Sequence, residues 1–259
     1  MPSLLDDPVF SANAFFPRKD AGPPPRGAID ARLPVANDVT LHARIHPAAD
    51  ASPELAWLVL FHGNGEVVSD YDAFAPHFAE AGARLAVVDY RGYGRSEGTP
   101  DLRTTVSDAP KALDAIWPLL AEGAPNLPMV VMGRSLGSMC AAELMRSSPR
   151  PVSGFIFESG FTDILAFARR RGATFETLDE ADRAILCPLR KLAGSKVPLL
   201  VLHGETDSLI SANEARAAFA ASGAEDKELV LVPGRGHNDV SFHPTYLSLI
   251  HISEPTRPY

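Results

Sequence analysis

Cysteine is scarce in this sequence. Only Cys140 and Cys187 occur, far apart and in neither a metal-ligand nor a redox spacing. They read as reduced, structural thiols, with a single bridge between them as the alternative. Basic residues are also in deficit, with 24 Lys and Arg against 32 Asp and Glu and a net charge of −8. The one basic cluster, Arg169–Arg171, reads as a solvated helix face. That balance argues against nucleic acid or an anionic membrane surface as the main partner. No apolar run approaches the roughly 18 residues needed to span a bilayer, so no integral membrane segment is expected. The opening MPSLLDDPVF has neither the basic nor the apolar region of a signal peptide, and a cytoplasmic chain is the expectation.

What is present suffices for one large domain. The chain has 259 residues, of which 46% are hydrophobic and 22% charged, close to the averages for globular proteins. Residues 1–27 are rich in Pro and lack periodicity, and Pro23–Pro25 should be extended. Ala28–Pro34 and Val39–His46 flank the turn-prone Ala-Asn-Asp and predict an antiparallel hairpin. Short apolar runs then alternate with helical patterns. The runs are Leu55–Phe61, Arg84–Tyr90, Met129–Gly133, Phe155–Ser159, Val197–His203 and Glu228–Gly234. They are nearly continuous in Val, Ile and Leu, as strands covered on both faces require. Helices are expected near Tyr71–Ala83, Leu102–Ala121, Leu136–Arg146 and Ala212–Ser222. The pattern predicts an α/β fold with an eight-stranded, mostly parallel sheet and helices on both faces.

Residues 162–196 form a longer interval than a crossover needs, with amphipathic pieces at Ile164–Arg171 and Leu178–Ala193, and read as a short inserted cap. The end of the chain is unusual. Leu247–Arg257 spells LSLIHISEPTR, the translation of a common sequencing adapter in one frame. Residues 247–259 therefore read as a non-native tail and residues 28–246 as the domain. The alternative is a natural apolar helix end followed by a Pro-containing tail.

The strongest chemical signal is Gly133-Arg134-Ser135-Leu136-Gly137, a G-x-S-x-G directly after an apolar strand and directly before a helix. A sharp strand-to-helix turn strains the serine backbone and lifts the hydroxyl clear of the sheet. Flanking glycines leave room where a Cβ would collide, and the helix N-terminus favours negative charge above it. A serine hydroxyl needs a base within hydrogen-bond reach. Of the eight histidines, His237 lies in Gly-Arg-Gly-His-Asn-Asp, a loop after the last expected strand. His42 and His46 are expected at the solvent face of the hairpin, His203 packed, His77 in a helix, and His243 and His251 too late in the chain. The imidazole in turn needs a carboxylate. Asp207 follows Val197–His203 and is preferred. Glu158, at the end of the preceding strand, is the rival, and Glu205 a third choice. For an oxyanion, the backbone N–H groups of Leu136 and of Asn64, in the loop His62-Gly63-Asn64-Gly65, are the expected donors, with His62 hydrogen-bonded within its turn.

HGNG, DYRGYGRS from Asp89 to Ser96, GRSLG, HGETD and GRGHND, taken in that order, resemble the α/β-hydrolase superfamily. Within it they are similar to the serine-aminopeptidase-like and monoglyceride-lipase-like branch. The likeness runs from about Asp38 to Val240 and leaves the first 27 residues unassigned. A non-native tail would also remove part of the final helix that buttresses the histidine loop. The resemblance implies the α/β-hydrolase fold, with D-Y-R-G-Y-G shaping the loop beside the oxyanion site and Asp89 and Arg91 structural. It implies acyl transfer to Ser135, with His237 as base and Asp207 orienting it, on a small-molecule ester or thioester. This chemistry calls for no metal and no organic cofactor. Ile164, Leu165, Phe167, Phe175, Ile185 and Leu186 of the cap either line an acyl pocket or hold the cap to the sheet. An aminopeptidase-like or other amide hydrolase is the alternative activity, and a non-catalytic binding module the alternative class.

Overall fold

The structure is a computed structural model that describes Leu5 and residues 14–19, 22–46, 56–165, 180–244 and 246–249. Alternating burial along β1 (Ile29–Ala36) marks a strand with one covered face, and it pairs antiparallel with β2 (Val39–Ile45) across the Asn37-Asp38 turn. The remaining strands are β3 (Ala56–Phe61), β4 (Ala83–Val88), β5 (Met129–Arg134), β6 (Gly154–Glu158), β7 (Leu199–Gly204) and β8 (Lys227–Val232). They form one eight-stranded sheet in the order β1-β2-β4-β3-β5-β6-β7-β8, parallel from β4 onward. Every residue of β3 is buried, which explains its unbroken apolar sequence.

Both faces of the sheet are packed. On one, Val59, Phe61, Val131 and Phe155 meet Leu113 and Ile116 of α2 (Leu102–Gly123), following α1 (Ala75–Glu80), and Met139 of α3 (Ser138–Ser147). Leu186 of α4 (Glu180–Leu186), Leu192 of α5 (Leu189–Gly194) and Ala215 of α6 (Ala212–Ala221) complete that layer. On the other, Leu58, Leu60, Met132 and Leu202 meet Phe78 of α1, Val240, and Tyr246 of α7 (Tyr246–Leu249).

The helix expected over Tyr71–Ala83 is shorter, a 3-10 turn at Val68–Tyr71 followed by α1 with Pro76 in its first turn. The second amphipathic cap piece, Leu178–Ala193, carries two helices among its described residues, divided at Cys187-Pro188. Proline lacks the N–H and restricts the residue before it, so it ends one helix and starts the next. The first cap piece is described only to Leu165, and the rest of it lies outside the described residues. His42 and His46 are not at a solvent face. Each is about 4% exposed, because β2 is an inner strand between β1 and β4. Both cysteines are free, Cys140 buried and Cys187 half-buried. The N-terminal segment contributes Leu5 and Phe15 to the core. Leu247 packs against the second layer, whereas residues 250–259 of the tail lie outside the described residues. Among the described residues no helix is long and apolar enough to cross a membrane.

Candidate active site

Strand β5 delivers its last residues into a turn that only this sequence pattern allows. Ser135 has φ +49°, in the left-handed region that costs a non-glycine residue about 1–3 kcal/mol. A Cβ on Gly133 would stand 2.4 Å from the Gly137 carbonyl oxygen, and one on Gly137 1.9 Å from that of Phe61. Both glycines are therefore sterically required. Ser138 Oγ donates to the Ser135 carbonyl at 2.7 Å and accepts the Phe161 N–H at 2.9 Å, which pins the turn from behind.

Two loops from the carboxyl edge of the sheet converge on Ser135. His237 Nε2 lies 2.9 Å from Ser135 Oγ, and its Nδ1 lies 2.7 Å from Asp207 Oδ2. The loop after β8 reaches this point because Gly204, ending β7, has no side chain; a Cβ there would stand 2.4 Å from the carbonyl oxygens of Arg235 and Gly236. Asp207 Oδ1 accepts the N–H groups of Leu209 and Ile210, both at 2.8 Å, and His203 Nε2 lies 3.3 Å from Oδ2. Burial would raise the pKa of Asp207, but hydrogen bonds from His203, His237 and Ile210 outweigh it and hold the carboxyl well below the usual range. Its charge obliges His237 to carry a proton on Nδ1, leaving Nε2 free to accept the Ser135 proton.

Glu158, the rival acid, is elsewhere. It pairs with Arg134 Nε at 3.2 Å and accepts from Tyr246 Oη at 2.5 Å. Glu205 is exposed. Thus Ser135, His237 and Asp207 come together, and neither alternative acid joins them.

The loop after β3 stands beside Ser135 because Phe61 pairs with Gly133 in the sheet. His62 Nδ1 bonds within its own turn to the Gly63 carbonyl at 2.8 Å, and its Nε2 reaches Asp89 at 3.1 Å. Asp89 is fully buried and also holds His42 Nδ1 at 2.9 Å and the Val68 N–H at 3.0 Å. A Cβ on Gly94 would collide with Asp89, which explains that glycine of the D-Y-R-G-Y-G loop. Arg91 forms a fork to Asp108 at 2.6 and 3.0 Å. Asp89 and Arg91 thus shape the loop and contact neither Ser135 nor His237. Among the described residues no acceptor takes the Asn64 N–H. Leu136 lies in the first turn after β5, where N–H groups lack a helical acceptor.

Several residues of the site were not anticipated. Arg134 has its guanidinium between two loops and the end of β6: it pairs with Glu66, with Glu158, and with Asn238 Oδ1 at 3.0 Å. Glu66 accepts the Gly63 N–H and the Tyr71 hydroxyl, both at 2.7 Å. Burial pushes its pKa up, but the Arg134 charge prevails and keeps it low. The available signal was a charged residue ending an apolar strand, since a buried arginine needs acids around it. Tyr90 and Tyr93 also act on this loop, donating to the His62 carbonyl and Asn64 Oδ1, both at 2.5 Å. A cavity of about 430 Å³ lies behind, between Asn64, Tyr71, Phe74, Met132, Arg134 and Asn238; neither Ser135 nor His237 lines it. Ile164, Leu165 and Leu186 are buried in the core, which fits holding the cap segment in place; Phe167 and Phe175 lie outside the described residues.

A family described as serine aminopeptidase, S33, matches residues 52–169. The Salmonella typhi protein YfhR, described as uncharacterized, is 26% identical over 93% of this chain and 86% of its own length. The Arabidopsis thaliana α/β-hydrolase domain-containing protein WAV2 is 29% identical over 59% of this chain and 54% of its own. Among solved structures, the Pyrococcus furiosus esterase Pf2001 superposes with a TM-score of 0.70 at 17% identity, covering 92% of this chain and 96% of that one. Thermogutta terrifontis esterase 2 with propionate bound gives 0.65 at 19% identity over 91% and 98%. The chain has the α/β-hydrolase fold, and over residues 52–169 it is similar to the serine aminopeptidase, S33, family. In this fold the serine turn, the histidine loop and the Asn64 loop all emerge from the carboxyl edge of one sheet, where ligands of open α/β folds bind.

Proposed function

We propose that the protein is a serine hydrolase that cleaves a small carboxylic ester or thioester through an acyl-enzyme on Ser135. The observation that carries this reading is the continuous line from Ser135 Oγ through His237 to Asp207, with separations of 2.9 and 2.7 Å. Ser135 Oγ attacks the acyl carbon as His237 Nε2 takes its proton, and Asp207 stabilises the imidazolium. The N–H groups of Asn64 and Leu136 receive the oxyanion. As the intermediate collapses, the bond to the leaving oxygen or sulfur breaks and His237 protonates that atom. A water then gives its proton to His237, attacks the acyl carbon and releases the carboxylate, restoring the Ser135 hydroxyl. The esterase neighbours support the ester class, and propionate in one of them is a carboxylate of the kind this cycle would release.

The family description, serine aminopeptidase, favours an amide substrate as the second reading. A panel of ester, thioester and aminoacyl-amide chromogenic substrates separates the two. Turnover of esters or thioesters well above amides is expected, and the reverse order would move the assignment. Labelling by a fluorophosphonate probe in the wild type but not in Ser135→Ala tests the nucleophile. Equal labelling of both would refute it, and labelling of neither would favour a binding module.

A further inference from the structure

We propose that the segment 14–19 is a working strap of the oxyanion site, holding the Asn64 peptide in place through the Asn64 side chain. The inference rests on the reading of the Asn64 N–H as an oxyanion donor. Asn64 is a paradoxical residue for that purpose. It stands between Gly63 and Gly65, the latter at φ +83°, so its own backbone offers little stiffness. The side chain supplies what the backbone lacks. A carboxamide has a donor and an acceptor side by side, as a peptide group does. The strap presents the complement: Asn64 Nδ2 donates to the Ala14 carbonyl at 2.7 Å, and the Phe16 N–H donates to Asn64 Oδ1 at 2.9 Å. Ala14 ends a helical turn and Phe16 follows it by two residues, so the carbonyl of one and the N–H of the other both face the Asn64 carboxamide. Tyr93 Oη closes the arrangement, donating to Asn64 Oδ1 at 2.5 Å and lying 3.1 Å from the Phe16 nitrogen.

The strap is anchored on both sides of this clasp. Phe15 is buried in the core. Arg18 forks onto Asp70 at 2.8 and 3.1 Å and donates to the Gly65 carbonyl at 3.0 Å, so it also grips the next peptide of the loop. The Gly94 N–H donates to the Arg18 carbonyl at 2.8 Å, and Lys19 Nζ to the Gly92 carbonyl at 2.9 Å. The N-terminal segment, which the family motifs leave unassigned, is thereby joined to the D-Y-R-G-Y-G loop and to the Asn64 loop together. A donor held this way is preorganised for the developing charge and needs no reorientation during reaction. Asn64 and Phe16 act here as positioning residues, through the Asn64 amide and the Phe16 N–H.

The test removes one atom's worth of donor. Phe16→Pro deletes the strap N–H, and because Pro17 follows, the change keeps the extended course. In the full-length protein, kcat on a chromogenic ester should fall about 10- to 100-fold, somewhat less than loss of an entire oxyanion donor, with KM within about threefold. Phe16→Ala keeps the N–H and should restore most of that turnover. The carbonyl stretch of the trapped acyl-enzyme should move to higher wavenumber in Phe16→Pro, reporting weaker hydrogen bonding to the oxygen. Asn64→Leu should show the same losses, and the double variant should be no worse than either single one, as expected for two ends of one interaction. Should Phe16→Pro fail to fold, Asn64→Leu, which removes the clasp from the loop side without adding a charge, carries the same kinetic and spectroscopic test. An unchanged kcat and carbonyl stretch in a wild-type background that does form an acyl-enzyme would overturn the strap alone. A wild type that forms no acyl-enzyme would overturn the serine-hydrolase reading and this inference with it.

Discussion

A Cβ on Gly63 would stand 2.4 Å from Nη1 of Arg134, and the guanidinium occupies the space that the glycine leaves. A flexible arginine tip normally yields to such a contact. This one is held by Glu66, Glu158 and Asn238 and has little room to retreat. Gly63→Ala should therefore displace the Asn64 loop, destabilising the protein by about 1–3 kcal/mol as overpacked sites do. It should also lower kcat more than it raises KM. Thermal melts and steady-state kinetics check both effects, and wild-type values would show that Arg134 gives way after all.

Arg134 itself is the countercharge for the buried Glu158 and the half-buried Glu66. Arg134→Met would leave Glu66 and Glu158 facing each other without it. Breaking a buried ion pair from one side costs about 3–5 kcal/mol. A denaturant melt should show that loss, and adding Glu158→Gln to the same variant should recover part of it. A double variant no more stable than Arg134→Met would mean that Glu158 carries no charge in need of neutralising.

The carboxyl-edge constellation was readable because each of its parts is forced by a local rule. Gly133, Ser135 and Gly137 spell out a strained turn between a strand and a helix, and Asp207 and His237 each follow an apolar run in the chain order such a turn demands. The sheet was legible for the same reason, since β3 and β5 are apolar on both faces. What failed to show was anything decided by packing across long sequence separations. His42 and His46 alternate like the residues of a half-exposed hairpin, yet they are buried because β2 also pairs with β4. The Asn64 clasp joins residues 14–16 to 64 and 93, and no spacing in the sequence announces it. Arg134 carried a faint signal as a charge at the end of an apolar strand, but its acids come from the loop after β3 and the end of β6.

The choice between the two strand-end acids has a direct kinetic test. Asp207→Asn presents an amide to His237 Nδ1, disfavours the required tautomer and should lower kcat by about 10⁴-fold. Glu158→Gln leaves the Ser135–His237–Asp207 line intact and should lower it far less. Stopped turnover with a chromogenic ester measures both, and the opposite ranking would transfer the orienting role to Glu158.

The same two acids respond to burial in opposite ways, which gives each its own pH window. Burial raises the pKa of Glu158 despite Arg134 and the Tyr246 hydroxyl. A carboxyl whose folded pKa exceeds its unfolded value, about 4.3 for glutamate, binds more protons when folded, so stability falls as pH rises from there through the folded pKa. Asp207 is held low by His203, His237 and the Ile210 N–H against the opposing effect of burial. Its contribution is present above about pH 3.9, the ordinary aspartate value, and is lost as pH falls through the lowered one. Melting curves across the acid-to-neutral range should consequently show a loss on the alkaline side that Glu158→Gln removes. They should show a second loss on the acid side that Asp207→Asn flattens. Because Glu158 ends β6 and Asp207 sits in the loop after β7, with no shared hydrogen bond, each substitution should leave the other limb in place. A Glu158→Gln protein that still loses stability toward neutral pH as steeply as the wild type would place that titration on another group.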